Sequence, residues 1–256
     1  MKPVGMVVVT GAGRGIGRAV ALDLAKTTSV DLLLVSKTAT CEKTAKDCNE
    51  LRAGCARAIV GDVRDPVARA EVVATAEHAR GPVGLVSAAG VLGPTGRFET
   101  NDLGAWWAAM ETNLLGTVGL VQGLLPFMLA VGAGRVLLFA GGGAAYGYPN
   151  FSSYGTAKAA LVRFAETLAM ELEGRGPIVT IVAPGANETD MLAEVRKAGG
   201  TVKTTVSIEE PCRFVRRFLT EDARGLHGRF VHVRDTWTPE SALALGENLW
   251  KLRRVE

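Results

Sequence analysis

The chain has 256 residues, 48% of them apolar and 21% charged, with a formal net charge of +3. That length suits one large domain or two small ones, with enough apolar residues for a sizeable core. So small a charge, on scattered basic residues, argues against nucleic acid as a partner, and the absence of an unbroken apolar run of about 18 residues argues against a membrane span.

Short β-rich runs alternate with helical stretches. Strands are predicted at 4–10, 31–36, 56–60, 84–87, 135–140, 178–182 and 229–233. Several are continuous apolar runs, such as Val136-Leu137-Leu138-Phe139-Ala140, which suit strands buried on both faces of a parallel sheet. Helical patterns fill 15–26, 40–53, 66–80, 102–130, 152–173, 188–197 and 208–219. In the fifth, Ala157, Ala160, Leu161, Phe164 and Leu168 form one apolar stripe at helical spacing. The alternation predicts an α/β fold of Rossmann type: a doubly wound, seven-stranded, mostly parallel sheet with helices on both faces. No stretch rich in Pro, Gly or Ser divides the chain, so residues 1–256 read as a single domain. Segment 188–227 is expected to form a lid over the site. Segment 234–256 is a tail whose basic ending includes Arg253 and Arg254, a solvated end or a subunit contact.

Residues 1–10 enter a strand pattern directly, without the parts of a signal peptide. Cys41, Cys48, Cys55 and Cys212 form no CxxC pair, and His78, His227 and His232 are scattered. Neither set suggests a metal, and free thiols fit a reducing cytoplasm.

The first strand runs into Thr10-Gly11-Ala12-Gly13-Arg14-Gly15-Ile16-Gly17, followed by a helix, which is the setting a dinucleotide fingerprint needs. Gly11 allows a sharp turn, Gly15 lets a pyrophosphate approach the backbone, and Gly17 lets the helix pack closely on the strand. Free N–H groups at the helix start, around Ile16, then face the phosphates. The second strand ends in Val35-Ser36-Lys37-Thr38, with no acid to bond a ribose 2′-hydroxyl. Arg14, Ser36 and Lys37 together suit a 2′-phosphate, so NADP(H) is expected rather than NAD(H).

With TGAGRGIG at 10–17, Gly61-Asp62-Val63, Ser87-Ala88-Ala89-Gly90, Asn113, Tyr154-Gly-Thr-Ala-Lys158 and Pro184-Gly185 in this order, the chain resembles the short-chain dehydrogenase/reductase family over roughly residues 4–233. The resemblance implies that Asp62 and Val63 border the adenine, and that Ala88, Ala89 and Gly90 line the cofactor. Pro184, Gly185, Asn187 and Thr189 would border the nicotinamide. It also implies that Tyr154 and Lys158 contact the cofactor, and that Asn113 steadies a proton-relay water.

The chemistry of the pair follows independently. Tyr154 and Lys158 lie four apart on a helix and share a face. A nearby ammonium is expected to lower the phenol's pKa from about 10, so that Tyr154 can pass a proton to a carbonyl oxygen or take one from an alcohol.

The sequence departs from the family at one catalytic position. A serine normally ends the fifth strand and polarises the substrate carbonyl; here Ala140 and Gly141 stand there. Backbone N–H groups of the Gly141-Gly142-Gly143 turn or a water replace the hydroxyl, or the substrate needs less polarisation, or the protein is weakly active or inactive. Ser152 and Ser153 precede Tyr154 but do not match that role. The family's Asn-Asn-Ala-Gly is here Ser87-Ala88-Ala89-Gly90, and its apolar residue after Pro-Gly is Asn187.

Ala140, Gly141, Tyr146, Tyr148 and Met191 are the substrate-side candidates, with 92–98 as a further wall. Trp106 and Trp107 read as core or subunit contacts. The leading expectation is an NADP(H)-dependent oxidoreductase acting on a small or medium carbonyl compound or secondary alcohol, assembled as a homodimer or homotetramer by analogy with relatives. Epimerisation or dehydration with tightly held cofactor, and a non-catalytic NADP(H)-binding protein, are the alternatives.

Overall fold

The computed structural model describes residues 3–202 and 204–252. Arg253 and Arg254 lie outside the described residues. Seven strands, β1 Met6–Thr10, β2 Asp31–Ser36, β3 Ala56–Val60, β4 Val83–Ser87, β5 Gly134–Phe139, β6 Pro177–Ala183 and β7 Phe230–His232, form one sheet in the order 3-2-1-4-5-6-7. All six pairings are parallel. The order reverses between β1 and β4, so the connections leave β1 in both directions and open a crevice beyond the carboxyl ends of those two strands.

Alternation along the strands sorts side chains into two cores. Val7, Val9, Leu32, Leu34, Leu137 and Phe139 face one layer, with α1 Gly15–Thr27, α2 Thr40–Leu51 and, later in the chain, the helix Glu209–Thr220. Met6, Val8, Leu33, Val35, Val136 and Leu138 face the other. There α3 Pro66–Ala76, a long helix over 103–131, and the helix Ser152–Glu171 cover the sheet. Burial on both faces is why these strands read as unbroken apolar runs.

The long helix is not uniform. It consists of α4 Leu103–Met110, a π turn Glu111–Leu115, and α5 Gly116–Val131, where the sequence suggests one helix over 102–130. The turn has a cause: Asn113 reaches out of the helix, accepting from the Val91 N–H at 3.1 Å and donating to the Val91 and Ala109 carbonyls at 2.8 and 2.9 Å. π turns of this kind relieve one residue's worth of register. By length and composition alone this 29-residue helix is apolar enough to cross a membrane, with mean hydropathy 1.9 over its most apolar window. The expectation drawn from unbroken runs missed it, because glycines and polar residues punctuate the stretch. In the fold its Leu120, Val121, Leu124 and Met128 pack into the sheet.

The remaining helices are α6 Ser152–Glu171, α7 Asp190–Lys197, α8 Glu209–Thr220 and α9 Pro239–Leu243. Segment 188–227 divides in two. Helix α7 stands at the carboxyl end of β6, whereas α8 packs against α1 through Pro211, Cys212, Phe214, Val215, Phe218 and Leu219 as part of the sheet's cover. The tail beyond β7 is also tied in. The guanidinium of Arg229 donates to the carbonyls of Gly225, Leu245, Gly246 and Leu249, and Glu166 of α6 accepts the Leu252 N–H.

Candidate active site

The glycine turn opens the site. Gly11 has φ +64, and a Cβ there would lie 2.7 Å from the Ala88 carbonyl oxygen, so only glycine fits between β1 and β4. A Cβ on Gly17 would collide with the Gly11 carbonyl, which is the close helix–strand packing the motif encodes. At Gly15 a Cβ would meet the Thr189 methyl at 3.5 Å, an ordinary contact, so the positive φ of +53 rather than crowding calls for glycine. The start of α1 has no side-chain cap and no acid in its first turn, and its first backbone bond is Arg18 N–H to the Arg14 carbonyl. The amides of Gly15, Ile16 and Gly17 therefore precede the intrahelical ladder, on a positive helix end without an anionic side chain. A concave backbone surface of this kind fits a pyrophosphate.

The rim carries charge. Lys37 lies 3.4 Å from Asp62, and Arg64 grips the same carboxylate at 2.7 Å. Hydrogen bonding from Arg64 holds the Asp62 carboxyl down at about 2. Ser36 donates to the Thr38 carbonyl and lies beside Gly13. Arg14 reaches across to Asp190 of α7 at 3.1 Å. Val63 is buried against Gly116 and supports the rim from behind.

At the carboxyl end of β4, the N–H groups of Ala88 and Ala89 both donate to Thr10 Oγ1, at 3.2 and 3.1 Å. Thr10 thus fixes the 88–90 loop. Its signal was its place as the last residue of β1, ahead of the glycines. Gly90 is where the catalytic candidates meet, since a Cβ there would lie 2.8 Å from Asn113 Oδ1 and 3.6 Å from Lys158 Nζ. The Asn113 side chain is committed to Val91 and Ala109, so it braces the loop, and its main-chain carbonyl accepts from the Thr117 hydroxyl at 3.3 Å.

Lys158 is 5% exposed and donates to the Phe139 carbonyl at 2.9 Å. Its ammonium sits 5.6 Å from the centre of the Tyr154 ring. Burial lowers its pKa to about 8. The Tyr154 phenol moves opposite to the expectation from its spacing to Lys158: burial, with a small contribution from Tyr148, raises it to about 12. Loss of solvation at the phenol is the larger cause, and it favours the neutral form.

Five substrate-side candidates separate. Gly141, Tyr148 and Met191 gather round Tyr154, with Tyr148 stacked on buried Phe151 at 4.5 Å. Ala140 does not: it is 2% exposed, packs in the core with Leu138 and Leu161, and donates its N–H to Val182. Tyr146 is 79% exposed and lies outside the apolar cluster round Tyr154. Leu92 joins the apolar cluster, whereas Phe98 at the far end of 92–98 is exposed. Ser153, set aside in the sequence, is fully buried and donates to the Leu92 carbonyl at 3.2 Å, fixing the start of α6. Ser152 accepts from Trp106 Nε1, while Trp107 is exposed.

In the loop after β6, Pro184 is buried and Gly185 has φ +70. Asn187 is buried and donates its amide to the Pro184 and Gly185 carbonyls at 2.7 and 3.1 Å. Thr189 caps α7. Among the described residues no group of three or more His, Cys, Asp or Glu could hold a metal.

Residues 5–199 match the family model for short chain dehydrogenases. A short chain dehydrogenase of Pseudocercospora fijiensis is 32% identical over 187 residues, covering 72% of this chain and 60% of that protein. The 3-oxoacyl-acyl-carrier-protein reductase FabG of Salmonella typhimurium is 29% identical over 239 residues, covering 89% and 95%. A short-chain dehydrogenase of Shigella flexneri, solved in complex with NADP, superposes with a TM-score of 0.82 at 21% identity, covering 90% of this chain and 97% of that one. With the glycine turn, Tyr154 and Lys158 arranged as described, the chain belongs to the short-chain dehydrogenase family.

Proposed function

We propose that the protein is an NADP(H)-dependent carbonyl reductase, or the reverse alcohol dehydrogenase, with Tyr154 as its acid and base. The observation that carries this reading is the placement of Tyr154 against Gly141 and Lys158 against Gly90, beyond the carboxyl ends of β5 and β4, with the ammonium 5.6 Å from the phenol ring. When bound, the nicotinamide supplies or accepts the hydride. Tyr154 Oη gives its proton to the carbonyl oxygen, or takes the alcohol's proton in reverse. Lys158 donates once to Phe139 and has two further N–H groups, enough to hold ribose hydroxyls.

Gly11, Gly15, Ile16 and Gly17 cradle the pyrophosphate in this reading. Arg14, Ser36 and Lys37 hold the 2′-phosphate, an assignment supported by the missing acid at the end of β2. Asp62 and Val63 border the adenine; Ala88, Ala89 and Gly90 line the middle; and Pro184, Gly185, Asn187 and Thr189 border the carboxamide. Similarity to a 3-oxoacyl reductase supports a carbonyl substrate.

Mixing the protein with NADPH and a panel of ketones and following NADPH absorbance tests the reading. Turnover that disappears in Tyr154→Phe supports it, and tight NADPH binding without turnover of any ketone sinks it. The bare Gly141 favours a second reading, an NADP(H)-binding chain without net turnover, and that last outcome would select it. Exposed Leu103, Trp107, Leu115 and Met170 on α4, the π turn and α6 support a homodimer or homotetramer, which light scattering on the eluting protein checks. The four free, buried cysteines support a reducing cytoplasm.

A further inference from the structure

We propose that Asp190 is a specificity-determining residue: it competes with the 2′-phosphate of NADP(H) for the Arg14 guanidinium, so that binding of the phosphorylated cofactor detaches the start of α7 from the glycine turn. The proposal rests on the reading of the turn and the end of β2 as an NADP(H) site.

The glycine turn lies between two walls. A Cβ on Gly13 would collide with Thr40 Oγ1 and lie 3.1 Å from Ser36 Oγ, so that side faces the hydroxyls after β2. A Cβ on Gly15 would touch the Thr189 methyl at 3.5 Å, so the other side faces the loop that starts α7. Arg14 stands between the two. It is the extended N-cap residue of α1, with φ −156 and ψ 176, and its side chain makes no cap bond. Its guanidinium therefore reaches one wall at a time. In this structure it is turned to α7, where Nη1 donates to Asp190 Oδ2 at 3.1 Å.

The pair is suited to exchange. It is a single-point contact between side chains 64% and 70% exposed, which makes it a weak tie. The neighbouring acid Glu188 is held more firmly, by two bonds from Arg196 at 2.8 and 2.7 Å. A 2′-phosphate brings more charge and more acceptor oxygens than one carboxylate oxygen, and its bidentate bond to a guanidinium is the stronger. Asp190 tolerates the loss, because it lies in the first turn of α7, where the helix dipole favours an acid. The consequence reaches the phenol. Met191 and Val195 of α7 pack in one cluster with Tyr148, Phe151 and Tyr154. Without Arg14, α7 loses a polar tie to the glycine turn and rests on these apolar contacts. NAD(H) has a hydroxyl in place of the phosphate and leaves the tie intact.

Fluorescence titration with NADPH and NADH at low ionic strength tests the competition. Asp190→Asn should tighten NADPH about 2- to 5-fold, the worth of an exposed ion pair, and move NADH less than about 1.5-fold. The gain should vanish in an Arg14→Ala background, which separates competition for the guanidinium from direct repulsion between carboxylate and phosphate. Hydrogen exchange of the α7 amides, with saturating NADP+ against saturating NAD+, should be faster with NADP+ in wild type and equal in Asp190→Asn. An Asp190→Asn variant that binds NADPH no tighter than wild type overturns the proposal. So does a gain shared by NADH or kept in the Arg14→Ala background, or equal α7 exchange with the two dinucleotides in wild type. A wild-type chain that binds NADPH no tighter than NADH, with Arg14→Ala silent on both, instead sinks the underlying reading of the 2′-phosphate site.

Discussion

The two ends of the crevice are built from different materials. On the side of β1 and β2 the surface is backbone: glycines that admit close approach, amides ahead of the first helical bond, and a threonine hydroxyl holding the neighbouring loop. On the side of β5 and α6 it is side chains, a partly buried phenol and a buried ammonium, whose pKa values burial moves to about 12 and about 8. The first region needs only shape and N–H groups, so it is complete as it stands. The second holds two groups that burial pushes toward their neutral forms, and it has no hydroxyl at 141. Binding and proton transfer are thus separable, and substitutions should break one without the other.

The largest expected effect is on the second side alone. Tyr154→Phe removes the proposed proton donor, and NADPH consumption with an accepted ketone should fall about 100-fold or more while NADPH binding stays intact. Equal loss of binding and turnover would contradict the separation.

Burial of Lys158 predicts a stability effect with a definite sign. Its folded pKa of about 8 lies below the ordinary 10.5, so between these values the unfolded chain binds more protons. Stability should rise as pH climbs from 8 to 10, by about 2 kcal/mol relative to Lys158→Met, in urea unfolding followed by circular dichroism. Above pH 10 the raised Tyr154 acts in the opposite sense, because there the folded chain holds the extra proton. A flat difference between wild type and Lys158→Met would remove the case for a buried ammonium.

On the first side, Gly17→Val should weaken NADPH binding about 10-fold or more and cost about 1–3 kcal/mol, because its Cβ has no room beside the Gly11 carbonyl. Fluorescence titration and thermal unfolding read the two effects. The smallest change expected is in Lys37→Ala, where NADPH affinity falls several-fold while NADH affinity and stability hold, since the lysine is exposed and its pair with Asp62 is weak. Parallel losses for both dinucleotides would remove Lys37 from the 2′-phosphate.

The same contrast governs what the sequence discloses. The sheet was legible because strands buried on both faces read as apolar runs, and the glycine turn because each glycine answers a local steric demand. The π turn was not, because its cause is Asn113 bonding to Val91, 22 residues away in sequence. Ala140 and Gly141 were indistinguishable for a related reason: neighbouring residues leaving a strand point to opposite faces, so a one-residue ambiguity decides between core and site. The missed direction of the Tyr154 shift has the same origin. Spacing places an ammonium near a phenol, but only packing reveals that both are desolvated and that Phe139 holds the ammonium.

The central claim is that this partly buried phenol becomes the proton carrier once a dinucleotide lies beside it. With three tyrosines in the chain, difference absorbance of tyrosinate between wild type and Tyr154→Phe isolates its titration, with and without NADP+. A phenol that titrates at about 12 in the free protein and at least about one unit lower with NADP+ is the predicted result. Superimposable titrations in the two states would contradict it.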